Sequence, residues 1–288
     1  MSMIAERISG ITKLEEILAR VPGLPPATQI LPKLLTALCE SETSIDHIAD
    51  LISFDPGLTL KLIQLCNSAA LGGARRVSNV SEAVHRLGVN CVFQLVAALT
   101  GNSVWKSETV TAVLDVDRLW EHSVTVALAS SILAKDTNED DSAAFTAGLL
   151  HECGRIVMAQ AFRGNYEQVL AQLDSSDELL MERAAFGFDH TEAGGRMLAR
   201  GGFPDVLVAS VTYQHRPAEA GVHVRAAALL NVADVLAGWT AKPKADASPA
   251  DWVDAEPLRL LNLAPQSLTF YCERIHEEFK FANALYHL

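Results

Sequence analysis

The chain has 288 residues, 49% of them hydrophobic, so it is long enough to bury a substantial core in one large domain or two ordinary ones. Its 23 basic and 35 acidic residues give a net charge of −12, which disfavours general attraction to nucleic acid or to anionic membrane surfaces. No apolar run approaches the roughly 20 residues of a membrane-spanning helix, so we expect neither a nucleic acid nor a membrane as a partner.

Hydrophobic residues recur at helical spacing along almost the whole chain, and no segment shows the alternation of a strand. Ser44 and Asp189 are typical residues for the first position of a helix, and a Glu three residues after Asp189 completes a capping box. Gly88 and Gly187 follow helical segments and are typical of helix ends. These signals predict an all-α protein.

The composition divides the chain into five predicted segments. They are an amino-terminal helix (1–20), a lobe of four or five short helices (21–114), a lobe of longer helices that carry most of the histidines (115–240), an exposed linker rich in Ala, Pro, Lys and Asp (241–255), and carboxy-terminal helices that pack back on the body (256–288). We expect the two lobes to form one domain over residues 21–240.

The first lobe contains the motif DPGLTLKLIQLCNSAALG at 55–72. Asp55 and Pro56 are predicted to start a helix, and Asn67 and Ser68 to lie at its end, where short polar side chains can bond the free carbonyls. Two interpretations stay open. The polar residues either mark the two ends of a helix and nothing more, or form a docking surface for a partner.

The second lobe contains side chains that suit a divalent transition metal, because iron, manganese and zinc prefer imidazole and carboxylate ligands. A single inward-facing histidine is more often a hydrogen-bonded core residue than a ligand. Several histidines and acids on different helices are harder to attribute to chance, and they indicate one metal-capable cavity formed by His122, His151, Glu152, His190, His215 and Asp234.

The five cysteines are scattered and contain no C-x-x-C pair, which indicates free thiols in a reducing cytoplasm. Cys153 follows the His-Glu pair, but its expected burial favours a small packing residue over a nucleophile. The sequence also lacks a Walker A loop, a G-x-G-x-x-G loop, a nucleophile elbow and an H-E-x-x-H motif.

The motif at 55–72, the segment VSNVSEAVHRLG at 77–88 and the segment GLPPATQILPKLLTAL at 23–38 together resemble the signature of HDOD domains. These domains are the regulatory relatives of the HD-superfamily hydrolases, and the resemblance covers about residues 21–235. It implies a multi-helix bundle in which an amino-terminal HDOD lobe packs on an HD-like lobe.

The resemblance also implies roles for the second-lobe residues. His122, His151, Glu152 and Asp234 would bind one ion, and His190 with His215 would serve a second, as in the dinuclear HD-GYP relatives. In an active site Glu152 and Arg155 would be the catalytic candidates. The chain departs from the HD-GYP pattern in two places. The adjacent pair His151-Glu152 replaces the usual His-Asp, and Arg155 stands where HD-GYP enzymes have Lys. The chain also lacks the GYP motif, so cyclic-di-GMP hydrolysis by that route is disfavoured.

Two functional hypotheses follow. In the first, the chain is a bacterial signal-transduction module that contacts signalling proteins and keeps its cavity for a metal or for a small phosphate-containing ligand. In the second, it is a metal-dependent phosphohydrolase that acts on a nucleotide or another small phosphate ester. The HDOD signature favours the first hypothesis, and the full ligand set favours the second. We adopt the first, with one or two ions of iron, manganese or zinc in the cavity.

Overall fold

The structure is a computed structural model that describes residues 14–19, 33–34, 37, 44–53, 56–68, 77–105, 108–172, 178–242 and 248–286. Throughout these ranges the regular elements are helices and none is a strand, which confirms the predicted all-α class. Asp55 and most of the predicted amino-terminal helix lie outside the described residues.

Short helices form the first part of the bundle: α1 (Ile45–Ser53), α2 (Pro56–Cys66), α3 (Val80–Leu87), α4 (Val89–Trp105) and α5 (Glu108–Thr111). Helix α1 packs on α3, and α2 packs on α4. One predicted helix start and one predicted helix end are confirmed here. The hydroxyl of Ser44 accepts a hydrogen bond from the backbone N–H of His47 (3.1 Å), and Gly88, at a φ of 81°, ends α3 in a backbone conformation that favours glycine.

The second part contains α6 (Val116–Thr137), α7 (Asp141–Leu150), α8 (Cys153–Phe162), α9 (Gly164–Ala171), α10 (Glu178–Phe186), α11 (His190–Arg200), α12 (Asp205–Thr212) and α13 (Val224–Ala241). Helix α6 packs along α7, α8 on α11, and α11 on α12, while α4 on α7 joins the two parts of the bundle. Asp189 caps α11 in the predicted capping box with Glu192. Because α7, α8 and α11 converge, the residues at their ends lie close together.

Helix α13 is the core element of the second part and packs on α6, α7 and α12 as well as on the carboxy-terminal helices. The segment Gly221–Ala241 is, within the described ranges, the one helix long and apolar enough to cross a membrane, which the sequence pattern did not single out. A helix surrounded by other helices is apolar on most of its surface. Its buried residues Leu229, Leu230, Val232 and Leu236 have that arrangement.

The carboxy-terminal helices α14 (Ala255–Leu261) and α15 (Leu268–Tyr286) pack on α13, and α15 also packs on α6. The segment before them was predicted as an exposed linker. Its described end, from Ser248 onward, is instead folded: Pro249–Asp251 forms a 3-10 turn, and Val253 is buried. The Trp252 ring lies edge-on to that of Trp239, 5.2 Å between centroids, so apolar contact with α13 holds this part of the segment.

Candidate metal centre

The predicted ligands come from five places in the second part of the bundle. His122 lies in the first half of α6 and Asp234 in the middle of α13, while the adjacent His151 and Glu152 occupy the junction between α7 and α8. His190 is the first residue of α11, and His215 follows α12. Since α13 packs on both α6 and α7, these helices bring their polar residues to one region of the core.

Four side chains form a compact cluster, His122, His151, Glu152 and Asp234. The candidate ligand atoms of His122, His151 and Glu152 all lie within 4.8 Å of one another. Asp234 Oδ1 lies 3.0 Å from His122 Nε2 and 3.8 Å from His151 Nε2, and His151 Nε2 lies 3.5 Å from Glu152 Oε1. Metal–ligand bonds of about 2.0–2.2 Å can bridge such spacings, so the cluster has the dimensions of a single coordination sphere.

The hydrogen bonds of His151 determine which of its nitrogens is available. Its ring is fully buried, and Nδ1 lies 2.7 Å from the carbonyl oxygen of Gly148, so Nδ1 carries the hydrogen and donates it. Nε2 has no hydrogen-bond partner among the described residues, although two carboxylates face it. A lone pair that faces carboxylates in a buried site is unfavourable unless a cation lies between them. The donor set therefore fits a divalent ion.

The acids of the cluster are ionised near neutral pH. Burial would raise the pKa of Asp234, but the hydrogen bond from His122 and the charges of His122, His151 and His215 together outweigh it and hold that pKa at about 2. Burial would likewise raise the pKa of Glu152, but the Arg155 guanidinium and the neighbouring imidazoles hold it well below its usual range. Burial lowers the pKa of His151 and favours the neutral form that a ligand requires.

Arg155 binds two carboxylates beside this cluster. Its Nε donates to Glu152 Oε2, and its two terminal nitrogens donate to the two oxygens of Glu178, with Nη2 at 2.8 Å from Oε2. The arginine was predicted as a catalytic candidate. In the structure its guanidinium is committed to these two acids, one at the start of α8 and one at the start of α10.

His190 is oriented by a glutamate that the sequence analysis missed. Both its backbone N–H and its Nδ1 lie 2.8 Å from Glu182 Oε2, while Tyr166 donates its hydroxyl to Glu182 Oε1 (2.9 Å). His190 Nε2 has no hydrogen-bond partner in the described part of the chain. The exposed His215 is next to it, with 6.2 Å between ring centroids. One signal could have revealed Glu182: it follows Glu178 by four residues, on the same face of the helix before His190.

Comparison with known protein families decides the relationship. The sequence model of the HDOD domain family matches residues 24–217 of this chain. The chain belongs to the HDOD family. An uncharacterised protein of Treponema pallidum (strain Nichols) is 26% identical over 215 residues, which cover 71% of this chain and only 40% of that protein.

Solved structures share the fold. An HDOD domain protein of unknown function from Geobacter sulfurreducens is 22% identical, with a TM-score of 0.76 over 97% of this chain and 99% of that one. A candidate phosphohydrolase from Shewanella amazonensis SB2B is 24% identical, with a TM-score of 0.75 over 95% and 97%. A candidate signal transduction protein from Marinobacter aquaeolei VT8 is 22% identical, with a TM-score of 0.76 over 97% and 65%.

The helix that carries the first-lobe motif of this HDOD protein, α2, packs mainly on α1, α3 and α4, and none of these helices carries a predicted metal ligand. Helix α2 begins at Pro56, as predicted, but Asn67 does not cap its carbonyls. Asn67 Nδ2 donates to the carbonyl of Val77, and the Val77 N–H donates to Asn67 Oδ1, both at 2.8 Å. The buried hydroxyl of Ser68 has no partner among the described residues. The capping prediction was therefore wrong, because the amide side chain matches a backbone segment ten residues further along the chain.

Cys153 packs between helices and is not placed as a nucleophile. It is 1% exposed, and burial raises the pKa of its thiol to about 12. Its sulfur lies close to Gly194 of α11. The prediction of a packing residue is confirmed.

Proposed function

We propose that this HDOD protein is a signal-transduction module that acts through contacts with other proteins and keeps an HD-like pocket for a divalent transition metal. One observation carries the metal pocket: the buried His151, fixed by the Gly148 carbonyl through Nδ1, turns an unpaired Nε2 towards two carboxylates. His122, His151, Glu152 and Asp234 would hold the ion, which we expect to be iron, manganese or zinc.

The hydrogen bonds of Arg155 to two glutamates support a regulatory role over a catalytic one. A bound ion would supply acidified water and polarise a phosphoryl oxygen. In this chain the nearby cationic side chain is already paired with Glu152 and Glu178, so it is not free to bind a substrate phosphate. The Marinobacter relative, described as a candidate signal transduction protein, is consistent with this role.

The alternative is a metal-dependent phosphohydrolase acting on a nucleotide or other small phosphate ester. It is supported by the ionised acids of the cluster and by the resemblance in fold to the candidate phosphohydrolase from Shewanella. The two proposals share the metal pocket and differ in whether it turns over substrate.

Two measurements test the proposal. Protein purified without added metal should contain a transition ion, and His151→Ala should remove it; protein that is metal-free and ignores added Mn²⁺, Fe²⁺ and Zn²⁺ in thermal unfolding contradicts the pocket. Turnover of nucleotides, cyclic dinucleotides and generic phosphodiesters should stay at background with excess metal. Activity that Glu152→Ala abolishes, and that the exposed control Glu278→Ala leaves unchanged, would establish the phosphohydrolase instead.

A further inference from the structure

A fixed positive charge lies at the edge of the candidate metal cluster. The Arg155 guanidinium, with its side chain 17% exposed, bridges Glu152 and Glu178. Glu178, Glu182 and His190 are themselves a group of metal-binding size, with candidate ligand atoms within 4.8 Å of one another. The guanidinium thus lies where acids and a histidine converge, next to the cluster formed by His151 and its neighbours.

The donors around His190 are already in use. Both oxygens of Glu178 accept hydrogen bonds from Arg155, while those of Glu182 accept from Tyr166 and from His190. Glu152 places Oε2 on Arg155 and turns Oε1 towards His151. A divalent ion at His190 and His215 would need at least one further donor, and preferably an anionic one. All four oxygens of Glu178 and Glu182 already accept a hydrogen bond, and Glu152 Oε1 faces the first ion's site at His151, so an acid here would have to share an oxygen or leave its present partner to supply it.

We propose that the Arg155 guanidinium takes the place of a second cation, so that this pocket binds one divalent ion and not two. The inference rests on the proposed metal pocket and concerns its stoichiometry. Unlike the lysine of the HD-GYP enzymes, which can lose its proton when buried, arginine stays charged at every physiological pH, and its planar fork binds Glu152 and both oxygens of Glu178 at once, so the replacement is permanent. A second dication beside the guanidinium would be repelled by it in a partly buried region, where screening is weak.

The replacement has a chemical consequence. A guanidinium neutralises carboxylates, but it cannot act as a Lewis acid or hold a hydroxide ion. In two-metal hydrolysis both cations clamp the displacement, one at the attacking oxygen and one at the leaving oxygen. A pocket with one ion and one arginine keeps its charge balance and its shape and lacks that clamp. This supports a regulatory use of the pocket.

Manganese titration followed by metal analysis tests the stoichiometry. The wild-type protein should bind one Mn²⁺ per chain and give the electron paramagnetic resonance signal of isolated ions. Arg155→Gln should bind a second Mn²⁺ at the same free concentration and show exchange coupling between two ions. Adding His190→Ala to that variant should restore one ion. The matched control Arg118→Gln, at an exposed position on α6, should behave as wild type.

The outcomes separate this inference from the proposed function. Two ions in the wild type, one of them lost in His190→Ala, overturn the inference and leave the metal pocket standing, whereas no bound Mn²⁺ overturns both. A folded Arg155→Gln protein that still binds one ion overturns the role of the arginine. Should Arg155→Gln fail to fold, the single histidine variants decide: one ion that survives His190→Ala and is lost in His151→Ala supports the inference, and any other pattern contradicts it.

Discussion

His151 lies at the junction of α7 and α8 and His190 begins α11, yet the chain orients both imidazoles in the same way. Each donates from Nδ1 to a fixed acceptor, the Gly148 carbonyl for His151 and the Glu182 carboxylate for His190, and each leaves Nε2 without a partner among the described residues. Such an acceptor fixes the tautomer and the ring orientation of a metal-binding histidine. At the scale of single residues, the hydrogen-bond acceptor of each histidine therefore determines which ring nitrogen is available to a metal.

Glu182 is the acceptor whose removal should be most costly. Glu182→Ala would leave the Tyr166 hydroxyl and His190 Nδ1 without their shared acceptor in a fully buried place, so we expect the free energy of unfolding to fall by about 3 kcal/mol. Glu182→Gln keeps two acceptor lone pairs and should lose about 1 kcal/mol. Urea denaturation measures both. A wild-type midpoint for Glu182→Ala would contradict the role of this glutamate.

At the scale of helices, the junction of α8 with α11 depends on the absence of side chains. A Cβ built on Gly154 would lie 1.7 Å from the carbonyl oxygen of His190 and 2.7 Å from the backbone nitrogen of Gly194. Backbone atoms cannot move aside as a flexible side chain can. Gly154 therefore allows the close approach that brings Glu152, two residues earlier in the chain, near His190.

Gly154→Ala should force α8 and α11 apart. We expect it to lower the free energy of unfolding by about 3 kcal/mol and to reduce metal binding as well. Gly238→Ala is the matched control, because Gly238 is also helical and a Cβ there would meet nothing within 4 Å. That variant should gain about 0.5–1 kcal/mol, since alanine restricts the unfolded chain. Equal stabilities of the two variants in urea would refute the close-packing argument.

The side chain of Asn67 binds the backbone of Val77, outside the helix that Asn67 follows. Asn67→Leu would remove two hydrogen bonds and leave the N–H and the carbonyl of Val77 without partners, at a cost of about 2 kcal/mol. Asn67→Asp keeps the acceptor for the Val77 N–H but sets a carboxylate oxygen against the Val77 carbonyl, so it should also lose about 2 kcal/mol. Metal content should stay at the wild-type value in both variants, because α2 packs mainly on helices that carry no predicted metal ligand. Loss of the ion from a folded Asn67→Leu protein would show that the first lobe shapes the pocket.

At the scale of the whole molecule, polar anchors attach the carboxy-terminal helices to the bundle. Arg225, on α13, donates to Glu139 Oε1 (2.6 Å) and to the carbonyls of Thr137 and Leu260. Tyr271, on α15, donates its hydroxyl to Asp136 Oδ2 at the end of α6 (3.0 Å). The helix that carries Asp234 is thus covered by α14 and α15, and its position depends on them.

The Tyr271 anchor predicts a pH dependence. Burial and the hydrogen bond to Asp136 raise the pKa of Tyr271 to about 12, above the ordinary value of 10.0. A raised folded-state pKa contributes stability that is complete below pH 10 and is lost as the pH rises towards 12, because the unfolded chain releases its proton first. Tyr271→Phe should lose about 1 kcal/mol at pH 7.

The difference in the free energy of unfolding between the wild type and Tyr271→Phe should therefore shrink between pH 10 and pH 12. Chemical denaturation at several pH values measures it. Asp136→Asn removes the charge and keeps an acceptor, so its stability should fall less steeply over the same range. A constant difference between wild type and Tyr271→Phe would show that this hydroxyl does not keep its proton in the folded protein.

The sequence by itself determined the helical class, the caps at Ser44 and Asp189, the helix end at Gly88 and membership of the HDOD family. These depend on local spacing and on residues within one turn of each other, which a linear pattern contains. It also predicted side chains that the fold brings together, because imidazoles and carboxylates are uncommon inside an apolar bundle.

Only the tertiary structure decided how those side chains are paired. The contact of Glu182 with Tyr166 spans 16 residues, that of Arg155 with Glu178 spans 23, and that of Asn67 with Val77 spans ten. Which acid a guanidinium meets depends on where whole helices cross, and helix crossings follow from the packing of many side chains together. The sequence therefore predicted which residues belong to the candidate site. The fold decided which partners set their charge and orientation.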